Sequence, residues 1–246
     1  MKVERVALVT GSATGIGRAV ALRLARQGFA VAVNYSRSAQ EAEATLHEVE
    51  KCGVPGLLIR AHVGHDEEVR RMVDQIIHAW DRVDVLVNNA GTTRFIDHRQ
   101  LEALTEEVWD EILGVNLKGA FYCCRAVIPH MQRHGGGSIV NISSVAGILG
   151  IGSSIPYAAS KGALNTLTKS LARAFAPQIR VNAVAPGPVL TRWLADHMDH
   201  IERQMALTPM QRAATPEDVA DVVCFLASGT HYVTGQVVVV DGGRTM

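Results

Sequence analysis

Tyr157 and Lys161 stand four residues apart in a stretch that reads as helix, with Ser144 thirteen residues ahead of the tyrosine. A four-residue step returns to the same helix face, so the spacing predicts that the Lys161 ammonium sits beside the Tyr157 phenol and favours its ionised form. An isolated phenol ionises near pH ~10, and a neighbouring cation brings it toward the range where it serves as a general acid or base. A Tyr-x-x-x-Lys step alone is common on ordinary helices. What lifts it here is the turn Thr10-Gly11-Ser12-Ala13-Thr14-Gly15-Ile16-Gly17 near the start of the chain, where three glycines let backbone amides approach a pyrophosphate at a helix N-terminus. Its Gly-x-x-x-Gly-x-Gly spacing differs from the common Gly-x-Gly-x-x-Gly fingerprint. Hydroxyl, phenol, amine and anion-binding turn together describe nucleotide-dependent redox chemistry, in which one group polarises a carbonyl oxygen and another exchanges its proton.

These groups need a scaffold, and the hydrophobic pattern supplies one. Apolar strand-like runs at 6–10, 30–34, 56–61, 83–88, 138–142, 181–185 and 237–241 alternate with helix-length periodic segments. That alternation predicts α/β architecture, a single doubly wound Rossmann domain over 1–246 with seven parallel strands and helices on both faces. Helix starts are signposted by Thr105 before Glu106 and Glu107, and by Thr215 before Pro216, Glu217 and Asp218. The segment 186–212 has weak periodicity and is expected to form a substrate lid.

Composition removes other classes of function. Lys plus Arg (24) equals Asp plus Glu (24), and no basic cluster points to nucleic acid. Apolar stretches fall far short of the roughly 18 residues that span a bilayer, so no membrane is implicated. Glu4 and Arg5 interrupt the apolar start of the chain, which reads as a first strand and predicts a cytoplasmic protein. Cys52, Cys123, Cys124 and Cys224 lack metal-ligand spacing and read as reduced and structural. The ten histidines include the pairs His62/His65, His130/His134 and His197/His200, yet none joins a His-Glu-x-x-His motif, and no metal is expected.

The chain resembles the short-chain dehydrogenase/reductase family along essentially its whole length. The resemblance is carried, in order, by Thr10 to Gly17, Asn88-Asn89-Ala90-Gly91, Asn116 in Val-Asn-Leu-Lys-Gly, Ser144 ahead of Tyr157-Ala-Ala-Ser-Lys161, and Pro186-Gly187-Pro188-Val189-Leu190-Thr191. It implies a catalytic tetrad of Asn116, Ser144, Tyr157 and Lys161, with Ser144 polarising the carbonyl, Tyr157 delivering the proton, Lys161 lowering the tyrosine and binding ribose hydroxyls, and Asn116 completing a water relay. It implies cofactor contacts at Gly11, Ser12, Thr14, Gly15, Ile16 and Gly17 for the pyrophosphate, and at Asn89, Ala90 and Gly91 for the adenosine ribose. Val189 and Thr191 would hold the nicotinamide carboxamide, with Pro186 and Gly187 as further cofactor contacts. It also implies a homotetramer built on the helices bearing Asn116 and Tyr157, with 241–246 near another interface. Ser143 reads as structural.

The end of the second strand reads Asn34-Tyr35-Ser36-Arg37-Ser38, with no acid to repel a 2′-phosphate, and Ser36 with Arg37 can bind one. NADP is therefore favoured over NAD, although Thr14 stands where many NADP enzymes of the family carry a basic residue. His62 replaces the family's usual aspartate at the adenine, followed by Val63, and a neutral imidazole nitrogen can accept the same hydrogen bond.

The pocket is expected from Arg94, Phe95, 146–153, Trp193, Leu194, Met198 and Met205, with a largely apolar mouth. The run from Asn88 to Arg94 resembles that of 3-oxoacyl-acyl-carrier-protein reductases, with Phe95 in place of a common aspartate, and Arg133 and Arg173 fall near positions offered to a carrier protein. A sugar or polyol dehydrogenase is the alternative within the family. A cofactor-sensing regulator without turnover is the alternative outside enzymology.

Overall fold

Alternate residues of the first strand go to opposite layers, as a two-residue period requires: Ala7 and Val9 pack on one side, Val6 and Leu8 on the other. The computed structural model describes residues 3–192 and 205–246. Seven parallel strands, β1 (Val6–Val9), β2 (Ala30–Tyr35), β3 (Gly56–Arg60), β4 (Val85–Asn88), β5 (Gly137–Ile142), β6 (Ile179–Pro186) and β7 (Val237–Val240), lie in the order β3-β2-β1-β4-β5-β6-β7. Helices α1 (Gly15–Arg26) and α2 (Ala39–Lys51), with a helix at Pro216–Cys224, cover the first face. Helices α3 (Asp66–Trp80), α5 (Ala120–Arg133) and the C-terminal part of α7 (Ile155–Phe175) cover the second. The sheet is the expected doubly wound one, and its central strands are buried on both faces because helices roof each side.

Strand ends shift by one or two residues from the sequence reading. β4 begins at Val85 because the Asp84 carboxylate, not a backbone carbonyl, takes the Val6 amide at 2.7 Å. β6 starts at Ile179, where Gly137 opens the pairing with β5. Thr215 forms a full capping box with Asp218, as its sequence context indicates. Thr105 does begin α4 (Glu106–Leu113), but its hydroxyl goes to the Glu107 side chain instead of capping the backbone. The chain runs from α4 through one wide π turn, Gly114–Gly119, directly into α5. A one-turn helix α6 (Ala146–Leu149) leads toward α7. Among the described residues no helix is long and apolar enough to cross a membrane.

Candidate active site

In this sheet the strand order reverses between β1 and β4, and crossovers leave in opposite directions there, opening a crevice at the carboxyl ends of the strands. A cleft of about 890 Å3 occupies that position. Thr10 and Asn89 stitch its floor. The Thr10 hydroxyl accepts from the amides of Asn89 and Ala90, both at 3.0 Å, while Asn89 Nδ2 donates to the carbonyls of Thr10 (2.9 Å) and Gly11 (3.0 Å). Gly11 has φ of +61°, and a Cβ there would lie 2.9 Å from Ala90 Cα, so only glycine lets the two turns meet.

Gly11, Thr14, Gly15 and Ile16 line the cleft. Ser12 and Gly17, also expected at the cofactor, do not line it. Ser12 is fully buried: its hydroxyl donates to the Val9 carbonyl at 2.8 Å and accepts from the Asn34 amide at 3.1 Å, and its own amide donates to the Asn34 carbonyl at 2.9 Å. Gly17 is a packing glycine, since a Cβ would strike Asn89 Nδ2, Gly11 O and Ser12 Cα. Asn34 is a fixing residue that motif reasoning missed. Its side chain accepts from the Gly11 amide at 3.1 Å and donates to the Ala61 carbonyl at 3.0 Å, tying three strand ends together.

Ser36, Arg37, His62 and Val63 line one end of the cleft. The His62 amide donates to Glu68 at 2.7 Å, and its ring lies 4.5 Å from that of His65. His62 Nδ1 is buried with no hydrogen-bond partner. Burial holds the imidazole below its ordinary range; His65 and Arg37 push the same way, against Glu68 and Glu111. The ring is thus kept neutral, with an orphaned nitrogen.

At the other end, Ser144, Tyr157 and Lys161 converge on the wall between β5 and α7. Ser154 caps α7, accepting from the Tyr157 amide at 3.4 Å, and Pro156 enters its first turn, so the tyrosine is held in the first turn of the helix. The phenol is hydrogen-bonded to Ser144, which alone would lower its pKa, yet burial dominates and raises it. The expected depression by Lys161 is absent. Lys161 Nζ lies 5.7 Å from the Tyr157 ring centroid and donates to the Ile142 carbonyl at 2.7 Å. The four-residue step does place both side chains on one face, but the ammonium is drawn to the end of β5. With only that carbonyl to replace water, burial lowers Lys161 to about 8.

Asn116 is buried behind this wall and does not line the main cleft. Its side chain accepts from the Thr92 amide (2.8 Å) and donates to the Thr92 carbonyl (3.0 Å) and Ser160 hydroxyl (3.0 Å). Both amide protons are therefore committed, and the side chain clamps the turn after β4 to α7. Ser143 is structural as expected, donating to Asn165 at 2.6 Å.

The mouth carries Arg94, Phe95, Val145, Ala146, Ile151, Gly152 and Ser153. Arg94 is paired with Glu111 at 2.8 Å and Phe95 is 45% exposed. Trp193, Leu194 and Met198, the core of the expected lid, fall outside the described residues, as do His197 and His200. Met205 does not reach the cleft. Pro186, Gly187, Val189 and Thr191 do line it, together with Arg192 and Arg244, which sequence reasoning passed over. Among the described residues no group of three or more His, Cys, Asp or Glu could hold a metal ion. Cys124 and Cys224 are each pushed up to about 12 by burial, as inert core thiols are.

The residues present fit a dinucleotide. Glycine positions that a Cβ would fill underlie the turn, and at the far end His62 Nδ1 is buried without a hydrogen-bond partner.

Residues 11–245 match the family described as enoyl-(acyl carrier protein) reductase. Ketoacyl reductase 2 of the granaticin polyketide synthase of Streptomyces violaceoruber is 47% identical, covering 97% of this chain and 95% of the relative. The 3-oxoacyl-[acyl-carrier-protein] reductase FabG of Staphylococcus aureus is 41% identical over the full length of both chains. A solved structure described as a short-chain dehydrogenase/reductase from Burkholderia xenovorans superposes with a TM-score of 0.93 at 38% identity, covering 98% of each chain.

Proposed function

The chain belongs to the short-chain dehydrogenase/reductase family and is an oxidoreductase acting on CH–OH and carbonyl groups; from that footing we propose that it is an NADPH-dependent reductase of 3-oxoacyl thioesters. The observation that carries the proposal is the hydrogen-bonded Ser144–Tyr157 pair at the cleft wall, with Lys161 anchored behind it. The names of the relatives favour a 3-oxoacyl substrate over a sugar or polyol.

The amides of Thr14, Gly15 and Ile16 would hold the pyrophosphate, with Gly11, whose own amide is given to Asn34, letting the turn approach it, and Asn89, Ala90 and Gly91 at the adenosine ribose. His62 Nδ1 and the Val63 backbone meet the adenine, and Ser36 and Arg37 take the 2′-phosphate. Val189 and Thr191 hold the carboxamide, with Pro186 and Gly187 as further cofactor contacts. Bound here, NADPH supplies a hydride to the carbonyl carbon.

The protein supplies the rest. Ser144 donates a hydrogen bond to the carbonyl oxygen, where negative charge develops. Tyr157, kept protonated by burial, delivers its proton to that oxygen. Lys161, whose pKa of about 8 leaves it charged at neutral pH, stabilises the phenolate that remains and binds ribose hydroxyls. Asn116 holds α7 in place against the turn after β4, with both of its side-chain amide protons committed there.

Exposed Phe121 on α5 and half-buried valines on edge strand β7 support assembly as a homotetramer. Arg133 and Arg173 are both exposed and available to an acidic carrier protein. The reading places the protein in the cytoplasm.

The test is NADPH oxidation with 3-oxoacyl thioesters, sugars and simple ketones, using Tyr157→Phe as control. Tyrosine-dependent turnover confined to the thioesters supports the proposal. Turnover confined to sugars replaces the substrate, and tight cofactor binding with no turnover on any substrate replaces the enzyme with a sensor.

A further inference from the structure

Arg192 reaches across the cleft. It follows Thr191, which packs over the glycine turn so closely that a Cβ on Gly15 would lie 3.3 Å from Thr191 Cγ2. One guanidinium nitrogen of Arg192 donates to the Ser38 hydroxyl at 2.9 Å and the other lies 3.4 Å from Glu41 Oε1. Ser38 stands at the N-cap position of α2 yet makes no cap to its own helix, so this hydroxyl is directed outward. Arg192 and Glu41 are both about half exposed, and an exposed pair at that distance contributes little to stability.

Ser36, Arg37, Ser38 and Arg192 all line the same cleft, whereas Glu41 does not. Among the described residues the Arg37 guanidinium forms no hydrogen bond or ion pair. Two guanidinium groups and two hydroxyls therefore share one corner, with a single carboxylate just outside it. Planar guanidinium groups match the oxygens of a phosphate monoester two at a time, and a dianion competes well against one weakly held carboxylate.

We propose that Arg192 is a second specificity-determining residue for the 2′-phosphate, which draws it from Glu41 while Ser38 stays a shared partner. The inference rests on the NADPH reading and extends it. Because Thr191 and Arg192 are neighbours, recognition of the 2′-phosphate at one end of the cleft also seats the residue that faces the carboxamide at the other. Glu41 acts as a placeholder that competes with the phosphate.

The experiment is equilibrium titration of the full-length protein with NADPH, NADH, 2′,5′-ADP and 5′-AMP, comparing wild type, Arg192→Leu, Glu41→Gln and Arg37→Ala. Loss of a charge-assisted contact predicts that Arg192→Leu weakens NADPH and 2′,5′-ADP by roughly tenfold while NADH and 5′-AMP change less than about twofold. Glu41→Gln should tighten 2′,5′-ADP and leave 5′-AMP unchanged. If Arg192→Leu affects NADPH and NADH alike, or neither, while Arg37→Ala selectively loses NADPH, the inference is wrong and the cofactor reading stands. If wild type binds 2′,5′-ADP no better than 5′-AMP, the NADPH reading fails and takes this inference with it.

Discussion

Lys161 Nζ donates to the Ile142 carbonyl at 2.7 Å, so the ammonium is fastened to the end of the strand that leads to Ser144. One contact orders the lysine with respect to both reacting hydroxyls, and it does so at the expense of solvation.

That expense is measurable. Lys161 titrates at about 8 in the folded chain against an ordinary 10.5. Between those values the unfolded chain holds a proton that the folded chain has released, so stability rises with pH across that window, and below it the full cost of a buried ammonium is present. Lys161→Met removes this cost. We expect a gain of up to roughly 3 kcal/mol at neutral pH, reduced by the orphaned Ile142 carbonyl, together with loss of turnover. Urea midpoints at neutral and alkaline pH check it: a variant no more stable than wild type near pH 7 would contradict the burial argument.

His62 predicts an acid-side effect. Its folded pKa lies below the ordinary value, so as pH falls through the imidazole range the unfolded chain takes the proton first and stability drops. Protonation also removes the Nδ1 acceptor proposed for the adenine. His62→Asn keeps an acceptor without titrating, and cofactor affinity in the variant should lack the wild-type decline between about pH 7 and 5. Parallel pH profiles in the two proteins would rule the role out.

Asn116 should act through position. Asn116→Ala strands the Thr92 amide and carbonyl and removes one partner of Ser160, a loss of about 2–4 kcal/mol by denaturant unfolding. Asn116→Asp, which keeps the acceptor and loses both donors, should fall between.

Gly17→Ala places a methyl against Asn89 Nδ2 and Gly11 O, and the overpacking should cost about 1–3 kcal/mol and weaken the dinucleotide by deforming the turn. Gly114→Ala is the control: nothing lies within 4 Å of its Cβ and its backbone is helical, so it should be neutral or slightly stabilising. Equal damage from both substitutions would defeat the packing explanation.

The sheet was legible because each strand carries its own apolar run, and Thr215 with Asp218 because a capping box is local. Ser144, Tyr157 and Lys161 were legible as a set since the helical step and the end of β5 bring them to one wall. The different placement of Ser12 and Gly17 was not legible because a motif gives identities without direction: the same turn aims Gly11 and Gly15 at the cleft and buries Ser12 against Asn34. The protonation balance of Tyr157 was not legible either, since it depends on burial and on where Lys161 finds its acceptor. Arg192 escaped notice because its partners lie 154 and 151 residues away, a separation no spacing rule reaches.

The wide turn at Gly114–Gly119 sets the phase of everything after it. A π turn holds one residue more than an α turn, and each residue of a regular helix advances about 100°. Adding one residue ahead of Asn116, beyond what the wide turn already absorbs, would rotate α5 relative to α4 by about that angle. Asn116 would swing off Thr92, and Cys123, Cys124 and Val127 would leave the sheet for solvent. Length in this segment is therefore under tighter constraint than the identity of most residues in it.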